Sequence, residues 1–129
     1  TGDFEPGSWV GRPDLVYNPT TAKYVLVMEI DGLGSGIGPG NKIGFASSST
    51  VEGTYTYHGS TAVNGSTMGD HSVFVDGSNA YLVYAGDNPG STQLIDRNVT
   101  LNIAPLASDW LSVLPAIYTE TNTSREAPF

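Results

Sequence analysis

Asp70 and Glu126 are the two carboxylates whose spacing invites a chemical reading. Laying Lys23-Tyr24-Val25-Leu26-Val27 on Ala80-Tyr81-Leu82-Val83-Tyr84 sets a repeat of 57 residues, and that register places Pro13 over Asp70. A further step of 56 residues reaches Glu126, inside the closing stretch Ser124-Arg125-Glu126-Ala127-Pro128-Phe129. A carboxylate held beside a second carboxyl group makes ionisation of that second group costly and so keeps it protonated near neutral pH. The bland alternative is a pair of solvated carboxylates at turns or strand ends, and the register is what separates the two readings.

Other chemistry-bearing residues carry two readings each. Arg12 and Arg125 either orient carboxylates or a bound ligand, or form structural ion pairs. Glu29 either binds a ligand or is a solvated strand end. His71 stands beside Asp70, but with His58 as the only other histidine and no cysteine, a structural role is favoured over a metal or acid–base role. Trp9 offers a surface on which a ligand could stack, and Trp110 is expected to pack between outer strands. The glycine-rich stretch from Asp31 to Gly40 lacks the Lys-Ser/Thr of a phosphate loop and the spaced carboxylates of a calcium loop, which leaves a hairpin connection.

The elements that must position these groups read as strands throughout. Arg12 to Tyr17, Lys23 to Ile30, Lys42 to Ser47 and Thr54 to Tyr57 are rich in β-branched and aromatic residues and bounded by turn formers. Ser72 to Val75, the Asp76-Gly77 turn, Ala80 to Ala85, a turn at Asp87-Asn88-Pro89-Gly90 and a strand from Gln93 onward repeat that order. Ala107 to Val113 reads as a tight turn feeding the outermost strand, and Thr1 to Gly11 as a connecting segment. The apolar run Tyr24 to Met28 has no alternation, as expected of a strand covered on both faces.

A repeat of this length made of strands is the signature of a β-propeller, whose four-stranded antiparallel blades bury their faces only against neighbours. The expected class is all-β and the expected organisation one partial propeller domain: 1–67 a first blade with its leading segment, 68–124 a second blade, 125–129 the start of a third. In 129 residues that falls short of a closed ring, so the remaining blades are expected from the same polypeptide or from another copy of the chain.

Thirteen acidic residues against five basic ones give a net charge of −8 without any Lys/Arg cluster, which argues against nucleic acid as a partner. No apolar run is long enough to span a bilayer. Asn64-Gly65-Ser66, Asn98-Val99-Thr100 and Asn122-Thr123-Ser124 each fit the N-glycosylation pattern, whereas Asn18-Pro19-Thr20 is spoiled by its proline. They point to a secreted, extracellular glycoprotein whose signal has been removed.

Several motifs in order resemble the five-bladed propellers of glycoside hydrolase family 43, especially the fungal exo-β-1,3-galactanases. They are Arg12-Pro13-Asp14-Leu15-Val16-Tyr17-Asn18 with Lys23-Tyr24-Val25, Ile43-Gly44-Phe45-Ala46-Ser47-Ser48 with Gly53-Thr54-Tyr55-Thr56-Tyr57, and Gly69-Asp70 before Val73-Phe74-Val75-Asp76-Gly77. Asp109-Trp110-Leu111-Ser112-Val113 and Arg125-Glu126-Ala127-Pro128 complete the set. The resemblance implies an inverting glycosidase in which Glu126 is the proton donor to the leaving oxygen and Asp70 raises and orients that acid. It implies an oligosaccharide or polysaccharide substrate, galactan side chains first, and no cofactor. Arabinan or xylan side chains are the alternative substrates, and a non-catalytic carbohydrate-binding propeller the alternative function. The chain departs from the family branch at Gly11, where a Glu is common, and at Val27 and Glu29, where an aromatic and a His are common.

Overall fold

A computed structural model describes residues 3–4, 6–31, 42–63, 68–86 and 100–121. They form two four-stranded antiparallel sheets. In the first, β1 (Trp9–Asn18), β2 (Lys23–Asp31), β3 (Lys42–Ser48) and β4 (Thr56–Thr61) pair in chain order. In the second, β5 (Met68–Asp76), β6 (Asn79–Gly86), β7 (Thr100–Pro105) and β8 (Tyr118–Thr121) do the same. Among the described residues there is no helix, so the all-β, two-blade expectation holds.

The repeat read from the sequence is the register of the structure. Asp14 pairs with Val27 in the first sheet and His71 with Tyr84 in the second, an offset of 57 on both strands (71 − 14 and 84 − 27). The third strands keep it, since Phe45 lies opposite Val27 and Asn102 opposite Tyr84 (102 − 45 = 57). A bulge interrupts β1 between Gly11 and Asp14 and recurs in β5 between Met68 and His71. Pro13 and Asp70 are thus equivalent bulge residues, which suits a proline, because a bulge leaves its residue out of the ladder to which proline has no N–H to donate.

That bulge corrects the reading of Thr1 to Gly11 as a connection. Trp9, Val10 and Gly11 continue β1, opposite Asp31, Ile30 and Glu29, because the kink at Arg12-Pro13 absorbs two residues and lets pairing resume on the far side. Upstream, the Asp3 carboxylate accepts the Tyr57 hydroxyl at 2.7 Å, and the Phe4 ring meets that of Tyr57 edge-on at 4.6 Å. Likewise β5 starts at Met68 rather than Ser72. β4 starts at Thr56 and accommodates His58 in a third bulge, between the pairs Ala46–Tyr57 and Phe45–Gly59. The expected strand from Gln93 falls mostly outside the described residues; the third strand described in the second sheet is Thr100–Pro105.

The core joins the two sheets. Val25, Val27, Ile43 and Phe45 of the first form one buried cluster with Ala80, Leu82, Tyr84, Ala104 and Leu106 of the second, and Val63 and Met68 lie at the crossing between them. Trp110 belongs to this same cluster at 1% exposure, rather than lying between outer strands. It is delivered by the turn expected between Ala107 and Val113, closed by Ala107 N–H to the Ser112 carbonyl at 2.9 Å. The buried Asn18 side chain donates to the Ser108 carbonyl of that turn at 3.0 Å, so a loop of the second sheet is pinned to the end of β1.

Candidate active site

The paired bulges aim two side chains at each other. Arg12 takes a left-handed backbone conformation (φ 43°), unusual for a residue with a Cβ, and it swings the guanidinium toward the second sheet. There Nη2 donates to Asp70 Oδ2 at 2.6 Å and Nε to Oδ1 at 2.5 Å. A fork meeting a carboxylate with two parallel bonds fixes the orientation of both groups. The side chains stay 40% and 28% exposed, so the carboxylate is held firmly yet reachable from solvent.

Beneath this pair lies a second contact between sheets that sequence reasoning missed. Asp14 Oδ2 accepts the Val73 N–H at 3.1 Å, and His71 Nε2 lies 3.8 Å from the same oxygen. The signal was available, because Asp14 and His71 are equivalent under the 57-residue register. Burial raises the Asp14 carboxyl above its ordinary range, opposed by the Val73 N–H and the Arg12 charge. His71 is driven the other way, to about 4, first by burial and then by the Arg12 cation, against the pull of Asp70 and the Val27 carbonyl. The ring is therefore neutral at physiological pH and fully enclosed, as the structural reading of His71 expects.

Glu29 sits opposite Gly11 on β2 and is 4% exposed, which excludes the solvated strand end. Trp9, at 51% exposure, lays its ring over Gly11. Arg12, Asp70, Glu29 and Trp9 thus gather around the two bulges and the strand ends that flank them. Glu126 and Arg125 lie outside the described residues, as do Asn64, Asn98, Asn122 and the glycine-rich stretch after Asp31. Among the described residues no three His, Asp or Glu side chains are grouped to hold a metal ion.

Two adjoining four-stranded antiparallel sheets, with a carboxylate fixed at their seam, have the architecture of propeller blades. Solved structures that share the fold include members of glycoside hydrolase family 43, and the two sheets of this chain match their propeller blades. The exo-β-1,3-galactanase of Phanerochaete chrysosporium, solved with galactose, is 27% identical over 98% of this chain with a TM-score of 0.80. A family 43 β-1,3-galactosidase with galactodeoxynojirimycin is 24% identical over 98% of the chain with a TM-score of 0.79. An exo-β-1,3-galactanase from Clostridium thermocellum is 23% identical over 92% with a TM-score of 0.78. The chain spans 28%, 48% and 26% of those three proteins. No protein-family profile matches it, and no curated protein sequence does.

Proposed function

We propose that the protein is a secreted, inverting glycoside hydrolase that removes galactose from β-1,3-galactan side chains. Asp70 is the carboxylate that raises and orients the acid, and Glu126 the acid that protonates the leaving oxygen. Arg12 holds Asp70 in place, while Glu29 and Arg125 meet substrate hydroxyls. The observation that carries this reading is the two-pronged Arg12–Asp70 pair, built by equivalent bulges of neighbouring blades and left open to solvent. The likeness to an exo-β-1,3-galactanase solved with galactose supports the substrate class. The register supports a third blade opening at Arg125, and the three sequons support glycosylation at Asn64, Asn98 and Asn122.

The test is hydrolysis of β-1,3-galactan, arabinan and xylan beside an aryl β-galactoside whose leaving group departs without a proton. Galactan is the expected substrate, and Glu126→Gln is expected to lower the rate on it by about 10²-fold or more while sparing the aryl galactoside. Cleavage of arabinan or xylan alone moves the substrate within the family. Saturable binding with no cleavage of any glycan makes the protein a non-catalytic carbohydrate-binding propeller.

A further inference from the structure

Trp9 combines features that a packing role does not explain. It stands on β1, three residues before Arg12, and leaves 51% of its surface in water, where burial of so large an apolar ring would be strongly favourable. Of the other exposed aromatics, Tyr17 pairs with Tyr24 at 5.1 Å, Phe74 with Tyr81 at 6.4 Å and Phe4 with Tyr57, while Tyr118 donates its hydroxyl to Glu120. Among the described residues no aromatic ring pairs with Trp9. Nor does its ring swing free. It lies down over Gly11, so close that a side chain at that position would meet Cζ3 at 2.7 Å and Cζ2 at 2.9 Å. Gly11 is itself buried, faces the enclosed Glu29 across the ladder and is followed directly by Arg12. A glycine here is what lets the indole approach the backbone and present a flat face beside polar groups.

We propose that Trp9 is a stacking platform that reads the apolar face of a galactopyranose, with Arg12 and Glu29 as its polar neighbours. The idea rests on the galactan reading above and deepens it, because it names a residue that selects the sugar. In galactose the axial 4-hydroxyl leaves the hydrogens of C3, C4 and C5 on one face, a contiguous apolar patch that suits an aromatic surface. In glucose the equatorial 4-hydroxyl moves the C4 hydrogen to the other face and breaks the patch. An aromatic contact of this kind is worth up to about ten-fold in affinity.

The difference in acrylamide quenching between the intact protein and its Trp9→Phe variant isolates the Trp9 signal from Trp110, which is enclosed. β-1,3-Galactotriose is expected to shield Trp9, and the β-1,3-linked glucose trisaccharide to leave it open. Trp9→Ala is expected to weaken galactotriose binding about ten-fold. Gly11→Ala, which leaves the indole in the chain but forces it off the backbone, is expected to reproduce much of that loss. Unchanged quenching in a protein that still cleaves galactan overturns the platform and leaves the functional reading intact. Equal shielding by both trisaccharides overturns the galactose selectivity. A wild-type protein that neither binds nor cleaves galactan overturns the reading on which the proposal rests.

Discussion

Arg12 and Asp70 are clasped by two short hydrogen bonds across the seam between the sheets, each from a bulge at the matching place of its own sheet. Their value lies in geometry more than in stability. Both side chains are partly exposed, and pairs of that kind contribute only about 0.2–1 kcal/mol to folding.

Arg12→Lys should therefore separate function from folding. A lysine keeps the charge but has one point of contact instead of a fork, so Asp70 loses its fixed orientation. The expected outcome is a fall in kcat/KM on galactan of about ten-fold, with a shift in unfolding free energy of about 1 kcal/mol or less. Steady-state kinetics beside urea denaturation check it. A large loss of stability with activity per folded molecule preserved would make the pair purely structural.

Trp110 sets the opposite balance. It is enclosed in the core that both sheets share, and its backbone is left-handed at φ 62°. Trp110→Ala removes a fully buried ring and is expected to cost about 3–5 kcal/mol. Trp110→Gly empties the same space but accepts the left-handed backbone, so it is expected to be less damaging than alanine by roughly 1 kcal/mol. Urea denaturation of the two variants side by side gives that ordering; alanine and glycine costing the same would mean the backbone carries no strain there.

Most of the fold was legible because the repeat is a backbone property that leaves its trace in side chains. Tyr24 and Tyr81, or Leu15-Val16 and Ser72-Val73, occupy matched strand positions, so aligning them aligned the sheets. The bulges were harder to see, since no pattern of apolar residues announces a residue that leaves the ladder. Arg12-Pro13 gives a hint through its proline, and Gly69-Asp70 through its glycine, yet the apolar pattern alone starts β1 within its kink at Arg12 and β5 after its own at Ser72. Glu29 was ambiguous for a different reason: enclosure is decided by what packs over a strand end, which the strand itself does not record. Asp14 was passed over because an acidic residue inside an apolar strand reads as solvent-facing until its partner, the Val73 N–H of the other sheet, is in view.

That same contact sets the acid sensitivity expected of the fold. His71 is enclosed and neutral, and its folded value of about 4 lies below the ordinary 6.5. Facing it are the Asp14 carboxylate at 3.8 Å, the Arg12 guanidinium and Asp70. A depressed folded value means that the unfolded chain takes up the proton first. The contribution of His71 is thus fully present above pH 6.5 and is lost as pH falls from there toward 4. The loss amounts to about 3 kcal/mol in the limit, at about 1.4 kcal/mol per unit. Asp14 works against it as pH falls through its raised folded value, because there the folded chain takes up the carboxyl proton before the unfolded chain does. His71→Gln, which cannot titrate, is expected to be less stable than wild type at pH 7.5 and yet to lose less stability between pH 7 and 4.5. Urea denaturation at both pH values for the two proteins gives the comparison. Equal slopes would mean that His71 titrates alike in the folded and unfolded chain, and that the seam between the sheets is open to water.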